Sequence, residues 1–177
     1  MAALFFLAFA FFAVGQASVK RNAAQTAADA AALGAARVTR DGIEDEFLDA
    51  LEAGDVDRLN DLLNGEDMDG AGGCAAAADY ANDNEADRTS CDWVDAPPGY
   101  TVGVRTQGTV GNSVVPGTET KHAEAKATAV VEPRCTADDA TGSEVAFTCD
   151  GDDVTVDATV GGFQLNLAEF FSVHLSE

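Results

Sequence analysis

The chain opens with an apolar stretch that predicts a hydrophobic helix. Between Met1 and Val19, only Gly15, Gln16 and Ser18 interrupt the run of hydrophobic residues. A helix that is apolar on all sides must lie in lipid or inside an assembly. At about 1.5 Å per residue, this stretch is roughly 28 Å long, close to the ~30 Å thickness of a bilayer core. Five phenylalanines fall within its first dozen residues: Phe5, Phe6, Phe9, Phe11 and Phe12.

An alanine-rich segment without proline follows directly and predicts that the same helix continues from Gln16 to Arg40. Small residues at Ala23, Ala27, Ala31 and Gly34 would let a second helix approach closely. We therefore predict an N-terminal assembly helix over residues 1–40 and a separate ectodomain over 41–177. An aspartate at Ala27 or Ala31 is expected to abolish assembly and to leave the ectodomain folded, because the charge would be trapped between helices.

The first part of the ectodomain, residues 41–80, has the periodicity of short helices. Ile43, Phe47 and Leu51 lie at helical spacing, and the pattern resumes after a break at Gly54–Asp55. Asp55 is a suitable N-cap for the second helix. An acidic, glycine-rich loop is expected at 65–73, a short alanine-rich helix at 74–80, and an irregular polar segment at 82–98 with Trp93 buried.

The pattern changes to strands over residues 99–177. Apolar and polar residues alternate at 100–104 and 122–131, and 109–115 continues or pairs with the first of these strands. The segments 144–149 and 154–160 flank Asp150–Gly151, which is typical of a tight hairpin. Residues 168–175 form either a strand or a short helical turn. Helices followed by strands predict an α+β fold with an antiparallel sheet.

Charge is distributed unevenly along the chain. Residues 1–40 carry four bases and one acid, a balance of +3, whereas the remainder carries six bases and 30 acids, a balance of −24. Such an acidic surface repels phosphates, so we predict no nucleic-acid partner.

The four cysteines, Cys74, Cys91, Cys135 and Cys149, predict two disulfides. Three pairings are open, and short loops favour Cys74–Cys91 and Cys135–Cys149. A zinc site would need closely spaced pairs, and the intervals here are 17, 44 and 14 residues. Disulfides indicate an extracytoplasmic compartment.

The apolar start has a competing interpretation as a cleaved signal peptide. No basic region precedes it, which argues against a signal peptide. Lys20 and Arg21 directly follow the stretch, although the positive-inside tendency would keep that flank cytoplasmic. A membrane anchor retained in the finished protein is the interpretation that we prefer.

The sequence shows no catalytic constellation, so we predict no enzyme activity, no catalytic residues and no dedicated metal site. His122 and His174 are expected to face solvent, and no G-x-S-x-G motif occurs. An EF-hand with Gly70 at its sixth position would place Gly65 and Ala76 where acids are required. We expect no cofactor other than calcium, which the acidic loops at 66–69 and 150–153 could bind weakly.

The run from Arg21 to Arg37, RNAAQTAADAAALGAAR, resembles the N-terminal signature of TadE/TadG-like proteins of the tight-adherence (Flp) pilus system. In that family an apolar membrane helix continues straight into such an alanine-rich helix. The resemblance implies a pilin-like or pseudopilin-like subunit, which waits in the membrane and then buries its helix among identical subunits with the help of pilus assembly machinery. Many type IV pilins carry a glutamate at mature position 5, where this chain has Phe5, so how such a subunit finds its register is open.

These observations predict a structural subunit of an extracellular type IV-related filament, with N-terminal helices in the core and acidic domains outside. Phenylalanine is a better choice for packing against identical neighbours than for lipid alone. The alternative is a membrane-anchored surface adhesin or ligand- or calcium-binding ectodomain that does not polymerise. In both cases the protein is first anchored in the membrane and faces the cell exterior.

Overall fold

The computed structural model describes residues 2–109 and 120–176, and for residues 2–14, 16 and 17 it describes the backbone alone. The predicted α+β fold with antiparallel sheets is confirmed. The helices are α1 (Ala2–Asp41), α2 (Glu44–Ala53), α3 (Val56–Leu63), α4 (Gly73–Asp83) and α5 (Leu167–Phe170). The strands are β1 (Ala86–Asp95), β2 (Pro98–Thr109), β3 (His122–Pro133), β4 (Cys135–Thr141), β5 (Glu144–Cys149), β6 (Asp152–Asp157) and β7 (Phe171–Ser176).

The short helices lie where their sequence patterns predict them. Phe47 and Leu51 of α2 are fully buried, as are Leu59 and Leu62 of α3, so each helix turns its apolar side to the core. The predicted cap of α3 is confirmed, because the Asp55 carboxylate accepts a hydrogen bond from the backbone N–H of Arg58 at 3.1 Å.

The larger sheet has four antiparallel strands in the order β1-β2-β3-β7. Tyr100, Val102 and Val104 of β2 lie opposite Ala129, Ala127 and Ala125 of β3. Because side chains alternate across a strand, this set shares one face of the sheet. That face packs against α1, and α4 packs against α1 as well.

The smaller sheet is a three-stranded antiparallel meander, β4-β5-β6. The predicted hairpin between β5 and β6 is confirmed: Asp150 and Gly151 have φ values of +52° and +92°. Two positive φ values are what a tight two-residue turn of this kind requires. The sheet is joined to α3 by Asn60, whose side chain donates to Ala137 O at 2.8 Å and accepts from Ala137 N at 3.0 Å.

Three segments differ from the prediction. The segment 82–98, expected to be irregular, contains the ten-residue strand β1. Strand β4 has no counterpart in the prediction, and the C-terminal segment is both a helical turn, α5, and a strand, β7. The predicted strand at 109–115 lies outside the described residues except for Thr109.

Both predicted disulfides are confirmed, Cys74–Cys91 and Cys135–Cys149. The first ties the start of α4 to β1, and the second joins directly opposed residues of β4 and β5. Trp93, expected to be buried beside the first disulfide, is only partly buried. Its ring stands edge-on to Tyr100, with ring centroids 5.2 Å apart.

Candidate assembly helix

Helix α1 consists of two parts that differ in their surroundings. Toward its N-terminal side, Gly15, Ser18 and Val19 are exposed, and the Val19 side chain retains 66% of its accessible surface. Arg21 and Ala23 are exposed too, and burial begins at Ala24. We call residues 15–23 the stem, because the described side chains here are exposed, apart from Lys20, which is half-buried.

The second part of α1 lies inside the domain. Seven alanines of this part have no accessible surface at all: Ala24, Ala27, Ala28, Ala31, Ala32, Ala35 and Ala36. Most of them belong to the same apolar core as Phe47, Leu51 and Tyr100. The helix ends at Asp41, close to the predicted limit, yet half of it is integral to the ectodomain core.

Gly34 shows why α1 needs small residues here. A Cβ added to Gly34 would lie 2.8 Å from Cγ of Tyr80 in α4, and two further ring atoms would be closer still. Real Cβ atoms do not approach carbon atoms this closely, so the absence of a side chain lets α4 pack directly on α1. The contact is the small-residue type that lets two helix backbones come together.

This packing changes the interpretation of the predicted assembly face. Ala27, Ala31 and Gly34 face the chain's own α4 and larger sheet, so in this structure they are not open to a neighbouring helix. The expectation that an aspartate at Ala27 or Ala31 leaves the domain folded is therefore wrong, because the charge would be buried without a partner. Ala23 is exposed, and its contact with another copy stays a prediction.

The five phenylalanines Phe5, Phe6, Phe9, Phe11 and Phe12 lie outside the residues whose side chains are described. Within the described part of the chain, no helix combines the length and apolar character needed to cross a bilayer. Membrane anchoring through the apolar start of α1 thus stays a prediction.

Tyr100 holds the C-terminal end of α1 in place. The Thr39 hydroxyl donates to the Tyr100 oxygen at 3.4 Å, and the Tyr100 hydroxyl donates to the Gly70 carbonyl. Tyr100 is 2% exposed, so these hydrogen bonds are shielded from water. One side chain of β2 thereby connects α1 to the loop that precedes α4.

The titratable groups are engaged in structural contacts. His122 Nδ1 lies 2.7 Å from the Thr106 carbonyl oxygen, and His174 Nε2 lies 3.6 Å from a Glu132 carboxylate oxygen. Hydrogen bonds from the Thr159 hydroxyl and then from its backbone N–H lower the pKa of Asp157. His174 Nδ1 also lies 3.1 Å from the Ser172 hydroxyl oxygen, at an exposed position of β7. All four cysteines are in disulfides, so none of them is a free thiol.

The acidic loops considered for calcium contain local pairs. In the first, Asp67 pairs with Arg58, and a hydrogen bond with Asp67 raises the pKa of Arg58. In the second, Asp150 pairs with Arg134, and a hydrogen bond with Asp150 raises the pKa of Arg134. No group of three or more potential metal ligands occurs among the residues that the structure describes. Weak calcium binding stays an untested prediction.

Comparison with known families identifies the N-terminal part of the chain. Residues 1–38 match the family model described as "Tad: Putative Flp pilus-assembly TadE/G-like". The match confirms the resemblance noted in the run from Arg21 to Arg37, and it covers α1 almost to its end. Comparisons with curated proteins and with solved structures found no match.

Proposed function

We propose that the protein is a structural subunit of a Tad-type pilus. The premise is that residues 1–38 match the TadE/G-like Flp pilus-assembly family model. Its N-terminal helices would pack in the filament core, and its acidic domains would lie outside. The family match associates the chain with pilus assembly, and the subunit role is our proposal.

The observation that carries this proposal is the stem. Helix α1 is continuous from Ala2 to Asp41, and among its described side chains the fully buried ones begin only at Ala24. A helix that extends beyond its own core, and that the sequence predicts to be apolar, needs a partner to cover it. Copies of the same helix supply such a partner in a filament, and lipid supplies it before assembly.

The charge distribution agrees with this arrangement. In the apolar stretch before Lys20 there is no acid, and the first acid of the chain is Asp29, which is half-buried and accepts a hydrogen bond from Gln25 at 2.7 Å. A filament core built from the apolar stretch before Lys20 would therefore contain no carboxylate, and burying an unpaired one would be costly. The acids of the domain would remain in water.

We further propose that the protein has no catalytic role and that it passes from the membrane to the cell exterior. Its disulfides suit an extracytoplasmic location. The histidines and loop acids make structural contacts, which supports a structural function.

A matched pair of variants tests the subunit role. Ala23→Asp changes an exposed alanine of the stem, and Ala75→Asp changes an exposed alanine of α4. Surface material would be sheared from cells, and fibres would be labelled with an antibody against the domain and imaged. We expect fibres from the native protein and from Ala75→Asp, and none from Ala23→Asp, with equal amounts of all three in the membrane fraction.

Two other outcomes would contradict the proposal. Fibres from Ala23→Asp in normal yield would mean that the stem is not packed between copies. Native protein found only as membrane-bound monomer would instead support the anchored adhesin or ligand-binding alternative. N-terminal mass spectrometry of the fibres adds a further check, because mature protein that begins beyond Ser18 would lack the proposed core segment.

A further inference from the structure

The domain has two ends that can be defined along α1. At one end, Lys20 of the stem lies beside β2, since a Cβ added to Gly108 would be 2.9 Å from Lys20 Nζ. At the other end, Thr39 meets Tyr100 near the start of β2. Helix α1 thus runs alongside β2 in the opposite direction. We call the end at Lys20 the stem end, and the end beyond Thr39 the distal end.

Basic side chains gather at the stem end, and we call them the basic collar: Lys20, Arg21, Arg105, Lys121 and Lys126. All are exposed except Lys20, which is half-buried. Within residues 2–109 and 120–176, none of the five lies within 4.0 Å of a carboxylate oxygen. Acids also lie at this level: Asp29 lines a cleft with Lys126, and Glu124 and Asp87 are opposite Arg105 on its two sides in the sheet. Glu85, whose carbonyl oxygen accepts from Gln107 N, and Asp83 at the end of α4 lie at the same end. The five bases of the collar thus balance the charge of these five acids, whereas the other end has no such balance.

Acids dominate the distal end. The segment 41–69, which begins where α1 ends, has twelve acids and one base, and the segment 134–157 of the smaller sheet has seven acids and one base. We call these two segments together the acidic pole. Both bases are already paired, Arg58 with Glu66 and Asp67, and Arg134 with Asp150. The hydrogen bonds between Asn60 and Ala137 hold the two segments together.

We infer that the basic collar of one subunit docks against the acidic pole of the next subunit along the filament. This inference rests on the proposed function. In a filament of identically oriented copies the contacts are heterologous, so that opposite ends of neighbouring domains face each other. Opposite charges at these ends attract and set the orientation of docking.

General repulsion between acidic subunits is the competing account, and it makes a different prediction. A net charge of −21 would oppose assembly wherever the charge sits, and only the total would matter. Under end-to-end docking, the position of a charge matters. Two variants with the same net charge therefore separate the two accounts.

The experiment compares two double variants. The collar variant, Lys121→Gln/Lys126→Gln, neutralises two collar residues. Its control, Thr136→Glu/Thr155→Glu, adds two acids at exposed positions of the acidic pole. Each variant makes the net charge more negative by two, and neither changes α1. Fibres would be incubated at about 0.05 M and about 0.5 M NaCl and sedimented, and the free subunit measured. We expect the collar variant to release about fivefold more subunit than its control at low salt, from two lost surface ion contacts. The ratio should approach one at high salt because exposed charges are then screened.

The outcomes distinguish this inference from the function on which it rests. Equal release from both variants would overturn the docking inference while leaving the fibre proposal standing. No fibres from the native protein would refute the proposed function, and the docking inference with it. Binding of both variants to phosphatidylglycerol vesicles would be measured as well. If the collar variant bound the vesicles more weakly than its control but formed fibres that release equal amounts of subunit, the collar would bind a lipid surface and the inference would be wrong. Equal melting temperatures of the two variants and the native protein check that each domain is folded.

Discussion

The contact between Gly34 and Tyr80 predicts that Gly34→Ala lowers the unfolding free energy of the domain when Tyr80 is present and raises it when Tyr80 is replaced by alanine. In Gly34→Ala, the new methyl group would lie 2.8 Å from Tyr80 Cγ, where ordinary contact begins at about 3.4 Å. Cγ lies on the axis about which the ring rotates, so turning the ring does not relieve its contact with the new methyl group. The helix α4 or the whole ring must move.

The magnitude follows from two opposing terms. Overpacking of a well-packed contact costs about 1–3 kcal/mol, and replacing glycine by alanine inside a helix stabilises it by about 1 kcal/mol. Tyr80 is 40% exposed, so its ring can yield partly toward solvent, and we expect the middle of the overpacking range, about 2 kcal/mol. Gly34→Ala alone should thus destabilise the domain by about 1 kcal/mol. In a Tyr80→Ala background the clash is gone, and the same change should stabilise it by about 1 kcal/mol.

The assay is a double-mutant cycle of unfolding free energies. The full chain in mild detergent would be unfolded with urea with its disulfides intact, and the fluorescence of Trp93 followed. Four proteins are compared: native, Gly34→Ala, Tyr80→Ala and the double variant, with equal m-values required. A gain in stability from Gly34→Ala in the presence of Tyr80 would refute the close packing of α1 on α4.

The remaining predictions concern the core, a disulfide and one carboxylate. Ala31→Asp should lower the unfolding free energy of the domain by several kcal/mol, because it buries an unpaired charge at a site with no accessible surface; a melting temperature equal to that of the native chain would contradict this. Serines in place of both members of the Cys135–Cys149 disulfide should cost about 3 kcal/mol under oxidising conditions, measured by urea unfolding. The lowered pKa of Asp157 means that its contribution to stability is present above the ordinary aspartate pKa of about 3.9 and is lost as pH falls through the lower folded value. Thr159→Ala should raise the pKa of Asp157 in an NMR titration, and an unchanged titration would argue against the hydrogen bonds described.

Local patterns were sufficient for the elements that depend on neighbours in sequence. Helix α3 follows its Asp55 cap, and the β5–β6 hairpin follows from Asp150–Gly151. Short loops favoured the two disulfide pairings that the structure contains. In each case the determining interaction lies within about 20 residues, so that the sequence alone displays it.

Strands β1 and β4 escaped prediction because their pairing is supplied from elsewhere. In β1, the sequence ADRTSCDWVD has four polar residues in a row after Ala86, and a register shift between Arg88 and Ser90 interrupts its period. Only Cys91 and Trp93 alternate as inner-face residues, opposite Val102 and Tyr100. Strand β4 has acids at 138 and 139 beside a register shift, which obscures its period. Tertiary pairing overrides weak local preference in such segments.

The partner of a small-residue face is likewise invisible in sequence. Ala27, Ala31 and Gly34 predict close helix contact, and the structure shows such contact within the chain. The spacing is the same whether the second helix belongs to the same molecule or to a copy. Ala77 and Ala81 of α4, which are fully buried, are the complementary small residues that sequence reasoning did not connect with α1.

The antiparallel course of α1 beside β2 has a mechanical consequence. The helix is a single rod of 40 residues, about 60 Å long, that enters the domain at Ala24 and is fastened at its far end through Thr39 and Tyr100. A pull on the rod is therefore directed along the strands, and the whole alanine interface must slide at once before the domain yields. Loading in shear distributes the force over many contacts, whereas peeling would break them one at a time.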